Sequence, residues 1–215
     1  VGCPLDGENW LDEPLSVGWF IGGMHGGTVI EKWLSVDSGI AGGFRFGGDV
    51  GHYWGFETRF LAAELGIDDH PAAVAAQWDA DTAAGMEDDD PRRRRFDAGR
   101  DANLTQWDLA VLYYPWGEAA WRPYLAAGLG RAEIELTDRL SRYYEKTMLA
   151  VPLAVGVKYR VDDWMAVRVE VADMIHVAGG DRFETLHNLT YTAGAEFRFG
   201  GRRRAYWPWE PGRHY

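Results

Sequence analysis

The end of the chain reads as two interleaved sets of side chains. From Leu189 to Phe199 the odd positions hold Leu189, Tyr191, Ala193, Ala195, Phe197 and Phe199, and the even ones Thr190, Thr192, Gly194, Glu196 and Arg198. Successive side chains on a strand point to opposite faces, so a strand here has one apolar face and one polar, charged face. A single such strand fits many soluble sheets. About eight in a row, joined only by turns and loops, restrict the chain to an all-β fold with two very different faces.

The other strands are placed the same way. Residues 16–26 carry Val17, Trp19 and Ile21 on one face. Residues 39–47 oppose Ile40, Phe44 and Phe46 to Arg45. Residues 54–64 set Phe56, Thr58, Phe60 and Ala62 against Glu57 and Arg59. In 104–114, Trp107, Leu109, Val111 and Tyr113 alternate with Asp108, Ala110 and Leu112. In 121–136 the charges Arg131, Glu133 and Glu135 share one parity. Residues 148–161 set Leu149, Val151, Leu153, Val155, Val157 and Tyr159 against Lys158 and Arg160, and 165–175 set Val167, Val169 and Val171 against Arg168 and Glu170.

The connections alternate in length. Short ones fall at about 48–53, 115–120 and 162–164, and long ones at about 28–38, 66–103, 137–147 and 177–188. In an up-and-down meander every second connection lies at the same end, so all the short turns share one end and all the long loops the other. Outer-membrane barrels have this asymmetry, with short periplasmic turns and longer outer loops. The long segment 66–103 includes an Ala-rich stretch at 70–84 that suits a short helix. It also holds an acidic set (Asp79, Asp81, Glu87, Asp88, Asp89, Asp90) and a basic run from Arg92 to Arg95.

Composition agrees where it bears on the question. Eleven Trp and 27 Gly are high for 215 residues. Trp and Tyr suit a membrane–water boundary, and Gly suits tightly curved strands. No run of about 18 apolar residues exists, so no transmembrane helix is expected. The mean hydropathy of −0.32 would suggest a soluble protein, except that half of each barrel strand faces a polar lumen. A net charge of −11 argues against nucleic acid as a partner. No signal peptide is visible, as expected if the chain begins after a cleavage site. Cys3 is the only cysteine, which excludes an internal disulfide; it is either acylated or a free or partner-linked thiol.

These patterns place Arg45, Glu57, Arg59, Asp108, Arg131, Glu133, Lys158, Arg168, Glu170, Glu196 and Arg198 on the face opposite the large apolar residues. An eight-stranded barrel has an interior just wide enough for side chains to fill. Charges there have to pair across it, because an isolated buried charge costs several kcal/mol. Trp19, Trp54, Trp107, Tyr113, Trp121, Tyr159, Trp164, Tyr191 and Phe199 are the expected interfacial aromatics.

The run Gly42, Gly43, Phe44, Arg45, Phe46, Gly47, Gly48, Asp49 carries a resemblance, as do Tyr53 to Arg59, Gly128-Leu129-Gly130 and the closing Ala195 to Phe199. With their order and spacing, these segments are similar to the OmpA/OmpX-type eight-stranded outer-membrane barrels over about residues 16–200. The resemblance implies an exported protein of diderm bacteria, assembled by the barrel-assembly machinery. The chain departs from that family after Phe199. Its tail is too short for a peptidoglycan-binding domain, and that activity is not carried over.

The expected organisation is an irregular periplasmic segment (1–14), in which Trp10 and Leu11 have something to pack on, a barrel (15–201) and a periplasmic aromatic and basic tail (202–215). In the tail, Arg202 to Arg204 suit lipid phosphates. Tyr206, Trp207, Pro208 and Trp209 suit either a partner protein or the barrel's own rim. The acidic loop is either a cation site or simply solvated, and Arg92 to Arg95 either meet lipopolysaccharide phosphates or pair with those acids. An enzyme reading starts from His25, His176 and His187 with Ser35 and Ser38, residues no motif joins.

The sequence thus predicts an eight-stranded antiparallel up-and-down transmembrane β-barrel in a bacterial outer membrane. It has both termini in the periplasm, a charge-filled lumen with no open pore, and no cofactor, metal or catalytic residue. Its expected partners are the lipid bilayer, lipopolysaccharide and other envelope proteins, reached through the loops and tail. The alternatives are a lipid-modifying enzyme, a narrow ion channel and a soluble lipocalin-like ligand-binding barrel.

Overall fold

The structure is a computed structural model. It describes residues 10–26, 28–30, 34–69, 71–86, 100–137, 143–177 and 185–201. Eight long strands form the barrel: β1 (Leu15–His25), β3 (Leu34–Asp49), β4 (Trp54–Asp69), β5 (Arg100–Tyr113), β6 (Trp121–Thr137), β7 (Tyr143–Asp162), β8 (Met165–Val177) and β9 (Leu186–Phe199). A short β2 (Thr28–Ile30) pairs only with β3. Every neighbouring pair is antiparallel. The ring closes where β1 pairs with β9, from Leu15 opposite Phe199 to His25 opposite Leu189. Closure leaves no sheet edge within the ring, which a bilayer requires because it offers no water to unpaired backbone groups.

The turns at the short end are compact. Gly117 has φ 59° in the β5–β6 turn and donates its N–H to the Tyr114 carbonyl at 3.1 Å. At the other end the strands run further than the alternation of large residues suggested. Much of the expected loops 28–38 and 137–147 is strand, and strand also takes both ends of 66–103, because the ladder continues past the last large outward residues. The Ala-rich stretch forms helix α1 (Pro71–Ala83). No described helix is long and apolar enough to cross a membrane.

The parity argument decides what faces what. Arg59, Glu170 and Arg198 are each 4 % exposed, while Val169 is 58 % and Phe197 41 % exposed. The charged side chains are enclosed and the greasy ones form the outside. That apolar exterior continues around the barrel through Ile21, Phe44, Phe60, Leu109, Leu125, Val155 and Val171. It is far larger than the apolar patches soluble monomers expose. A lipocalin-like soluble barrel would show the opposite arrangement.

An aromatic belt rings the short-turn end of this wall. Trp54 packs on Tyr113 with centroids 5.0 Å apart, Trp121 on Tyr159 at 4.6 Å, Trp164 stacks on Phe197 at 5.8 Å, and Phe46 meets Phe199 at 6.4 Å. Trp54–Tyr113 and Trp121–Tyr159 join neighbouring strands, Trp164 reaches β9 from the β7–β8 turn, and Phe46 meets Phe199 across β1, so the belt follows from strand ends arriving at one level. Trp19, expected at an interface, stands instead inside the wall, between Val17 and Ile21 on the outward face of β1. Trp107 is the last apolar residue on the outward face of β5, opposite Arg131 and followed outward by Thr105 and Asn103, so it marks the upper edge of the wall. Tyr191 also faces outward, nearer the long-loop end.

Candidate functional site

Two places concentrate chemistry: the lumen and the long-loop rim. The lumen is layered. At the short-turn end a helical turn, Trp10–Asp12, folds into the mouth and buries Trp10 completely. The Trp10 indole Nε1–H donates to the Ala119 carbonyl at 2.9 Å, and its backbone N–H to Glu118 Oε2 at 2.8 Å. Three guanidiniums surround the ring, Arg198, Arg122 and Arg160, at 4.6, 5.0 and 5.8 Å from its centroid. A cation over an indole face is attracted by the ring quadrupole, more strongly where water is excluded. Asp49 Oδ2 accepts from both Arg122 (2.8 Å) and Arg198 (2.7 Å), and Glu196 joins Arg198 to Lys158.

The next layer is a network around Glu170. Arg45 donates to it through both terminal nitrogens, at 3.0 and 2.9 Å, Arg59 at 3.2 Å and Tyr124 at 2.7 Å. Arg168 contacts both Glu57 and Glu170, and its Nε–H reaches the Tyr124 hydroxyl at 2.6 Å. Arg59 also pairs with Asp108 at 3.1 Å, and Gln106 donates to the same carboxylate at 2.7 Å. The void beside Arg45, Glu57 and Arg168 is about 10 Å³, room for about one water.

Toward the long loops the lumen turns apolar. Phe20, Met24, Leu61, Leu65, Leu104, Ile134, Met148, Met174 and Leu186 are buried there in one cluster. The expectation of charges along the whole lumen therefore holds only for its short-turn half. His176 sits among these residues, hydrogen-bonded to Gln106 at 2.8 Å and to Asn188 at 3.1 Å.

Of the expected lumen residues, Arg45, Glu57, Arg59, Asp108, Lys158, Arg168, Glu170, Glu196 and Arg198 face inward and are buried. Arg131 and Glu133 do not. Both share the outward parity of Trp121, Leu125 and Leu129, and they pair with each other at 3.5 Å on the outside of β6. Their strand has left the apolar zone by that point, so its outer face takes charge. Arg122 and Asp49 are buried lumen ions that the large-residue pattern missed, although Arg122 shares the parity of Tyr124 and Asp49 that of Arg45. Nothing periodic marks Trp10 as a plug.

At the rim, His25 Nδ1 lies 2.7 Å from Ser38 Oγ and His187 Nδ1 2.9 Å from Asp173 Oδ2, both pairs exposed. Asp81 is held by Gln77 at 2.9 Å. Among the described residues no three His, Cys, Asp or Glu side chains are arranged to hold a metal. Cys3, Glu87 to Asp90, Arg92 to Arg95, Arg202 to Arg204 and the partner-binding candidates Tyr206, Trp207, Pro208 and Trp209 lie outside the described residues.

The family described as "Outer membrane protein beta-barrel domain" matches residues 15–199, the whole barrel. The chain belongs to this family. Its fold is shared with solved barrels of low identity. OprG from Pseudomonas aeruginosa is 14% identical with a TM-score of 0.55, covering 91% of this chain and 99% of that one. The outer membrane protein AlkL, determined in DMPC bilayers, is 15% identical with a TM-score of 0.53, covering 93% and 95%. Ail of Yersinia pestis, determined with the heparin analogue sucrose octasulfate, is 10% identical with a TM-score of 0.50, covering 86% and 99%. No curated protein matches the sequence. The protein is thus an outer-membrane β-barrel that shares its fold with OprG, AlkL and Ail.

Proposed function

We propose that this protein is a closed outer-membrane scaffold, whose work is done at its loop end and by its tail rather than through its lumen. The observation that carries this reading is the layered filling of the barrel. The Trp10 plug, the Glu170 network and the apolar cluster follow one another along the axis, and each closes the cross-section with packed side chains. On this reading an ion entering from either end meets packed side chains rather than a water-filled channel.

The short turns and both termini lie in the periplasm, as in related barrels. The strands that overshoot the apolar wall then project from the cell, with Arg131 at a level to meet lipopolysaccharide phosphates. Tyr206, Trp207, Pro208 and Trp209 anchor envelope partners on the inner side. Conductance in planar bilayers tests closure: silence is expected, and a steady single-channel current abolishes the reading. Photo-crosslinking from position 207 in native membranes, with and without deletion of 202–215, tests the tail.

A second reading is an enzyme acting on acyl esters at the outer rim, favoured by the His25–Ser38 contact. Among the described residues no carboxylate is hydrogen-bonded to that His. Labelling of Ser38 by a fluorophosphonate, lost in His25→Ala, would establish it.

A further inference from the structure

One carboxylate stands inside the greasy wall. On the outward face of β8, Asp173 lies between Val171 and Ile175, and across the ladder it faces Leu153 on β7 and Leu189 on β9. The outward residues of β7 on either side of Leu153 are Val151 and Val155. An ionisable group on the lipid face of a barrel is costly, so it calls for a partner. His187 supplies part of one, with its Nδ1 2.9 Å from Oδ2. Oδ1 has no hydrogen-bond partner among the described residues.

The aromatic belt gives the depth of this group. Asp173 follows Trp164 by nine residues, and Arg131 follows Trp121 by ten. Counted from the belt, the two side chains reach nearly the same height, at the upper boundary of the wall. Their strands, β8 and β6, are about 10 Å apart.

An open furrow of about 670 Å³ leads away from Asp173. One side runs from Asp173 through Leu153 to Ala127, and the other from Val171 through Leu125 to Tyr113. The small Ala127 among larger outward residues leaves the depression. Tyr113 ends β5 in the belt, whereas Asp173 is near the far end of β8. Strand tilt makes the hydrogen-bonding direction climb the wall, so the furrow descends from the upper boundary to the belt. It ends at Trp54 on β4, four strand spacings or about 19 Å from β8.

This shape and chemistry select one kind of occupant. The furrow is extended and apolar, as an acyl chain is. Its upper end is a carboxylate lacking a donor, at the depth where chains join a headgroup. Chains of glycerophospholipids join there through esters, which offer only acceptors and would leave the carboxylate unpaired. Chains amide-linked to a sugar and hydroxylated near the carbonyl offer N–H and O–H donors at that depth. Such bonds to a carboxylate are charge-assisted and stronger than neutral ones. Arg131, at the same height, suits a phosphate on the sugar.

We propose that the furrow is a seat for lipid A, the phosphorylated glucosamine lipid that anchors lipopolysaccharide. One of its chains lies in the furrow, and the amide N–H or 3-hydroxyl at the head of that chain donates to Asp173. A phosphate of the same molecule reaches Arg131. The inference rests on the scaffold reading for its outward-facing loop end, and it assigns which part of the glycolipid the wall recognises.

The test uses the full chain in nanodiscs of phosphatidylcholine. The probe is glucosamine 1-phosphate carrying two 3-hydroxymyristoyl chains, one of them amide-linked. The control is the same sugar phosphate with two ester-linked chains that lack the hydroxyl. Native mass spectrometry reads the retention of each lipid, and the carboxyl carbon resonance of Asp173 reads contact. The unaltered protein should retain the probe at least about tenfold better than the control, and only the probe should shift the resonance. Asp173→Leu should retain the two lipids equally. Ala127→Phe, which fills the furrow, should lose the probe by a similar factor. Arg131→Gln should weaken both lipids alike, because both carry the phosphate. Equal retention of probe and control by the unaltered protein overturns the proposal, as does an undiminished preference in Asp173→Leu or undiminished retention in Ala127→Phe. A dimer that forms without the probe and is lost in Ala127→Phe overturns it in favour of a second copy. The comparison of lipids uses the unaltered protein, so misfolding of a variant cannot decide the result. A conducting barrel would remove the scaffold reading and leave this preference standing; equal retention of the two lipids would remove the seat and leave the closed barrel.

Discussion

Arg45 and Glu170 meet across the lumen as a two-pronged pair, with Nη1 to Oε2 at 3.0 Å and Nη2 to Oε1 at 2.9 Å, although β3 and β8, which carry them, are separated in the ring by β1 and β9. Glu170 also receives Arg59, Arg168 and Tyr124. Glu170→Ala therefore leaves three guanidiniums short of a counter-charge at once. The expected loss is about 3–5 kcal/mol, the range for breaking a buried pair by removing one partner. The double variant Arg45→Met, Glu170→Met should lose less than Glu170→Ala alone, because it removes a cation with the anion. Urea unfolding from lipid vesicles measures both, and a double variant at least as unstable as the single one would contradict this account.

Trp10 is the second lever. It fills the mouth of the barrel and covers three arginines, so Trp10→Ala removes packing and cation–π contact together. A loss of about 3–5 kcal/mol is expected from the cavity alone. Trp10→Phe keeps a ring but loses the bond to the Ala119 carbonyl, so it should fall between the two. Equal stability of Trp10→Ala and the parent would mean that the plug contributes nothing.

The barrel was legible in the sequence because a membrane strand repeats a period of two with large residues on its lipid face. Val167, Val169 and Val171 opposing Arg168 and Glu170 leave little room for another assignment. The lumen was read correctly wherever the charged residue sat between large apolar neighbours, as Arg45 does between Phe44 and Phe46. It was misread on β6, where Gly128, Gly130 and Ala132 alternate with Arg131 and Glu133. Small residues dominate the parity opposite those charges, with Ile134 the one bulky member, so charge alone points inward there, although Trp121, Leu125 and Leu129 on the charged parity point the other way. The apolar upper lumen and the Trp10 plug depend on which residues arrive at the same level after the ring closes. No local pattern carries that information.

Ring closure supplies a third prediction. A Cβ on Gly194 would overlap the Trp19 carbonyl and crowd Phe20, both on β1, at the seam where the last strand meets the first. Backbone atoms in a ladder cannot yield as a flexible side chain would. Gly194→Val should cost at least about 1–3 kcal/mol and lower the yield of folded barrel, read as the heat-modifiable band on a gel. Gly51→Ala in the β3–β4 turn, with nothing within 4 Å of the added carbon, should assemble like the parent. Equal yields of the two variants would show that the seam tolerates bulk.

The last prediction concerns pH at the exposed ribbon. The hydrogen bond between Glu145 and Glu133 needs a proton, and the charge of Glu133 disfavours a second anion beside it, so the Glu145 carboxyl stays above its ordinary range. A raised carboxyl favours the protonated form in the folded ribbon. Its contribution is thus fully present below the ordinary carboxyl range and disappears as pH rises through the raised value. The tip of β6 and β7 should be tighter in mild acid and looser at neutral pH. The reporter is the amide of Lys146, which faces β6. After correction for intrinsic exchange, its protection should fall as pH rises above the ordinary carboxyl range. In Glu145→Gln the carboxyl is gone and the amide can still donate to Glu133, so the pH dependence should flatten near its acid level. Because the group lies in water, global unfolding of the barrel should hardly change. A slope at Lys146 as steep in Glu145→Gln as in the parent would assign the effect to some other group.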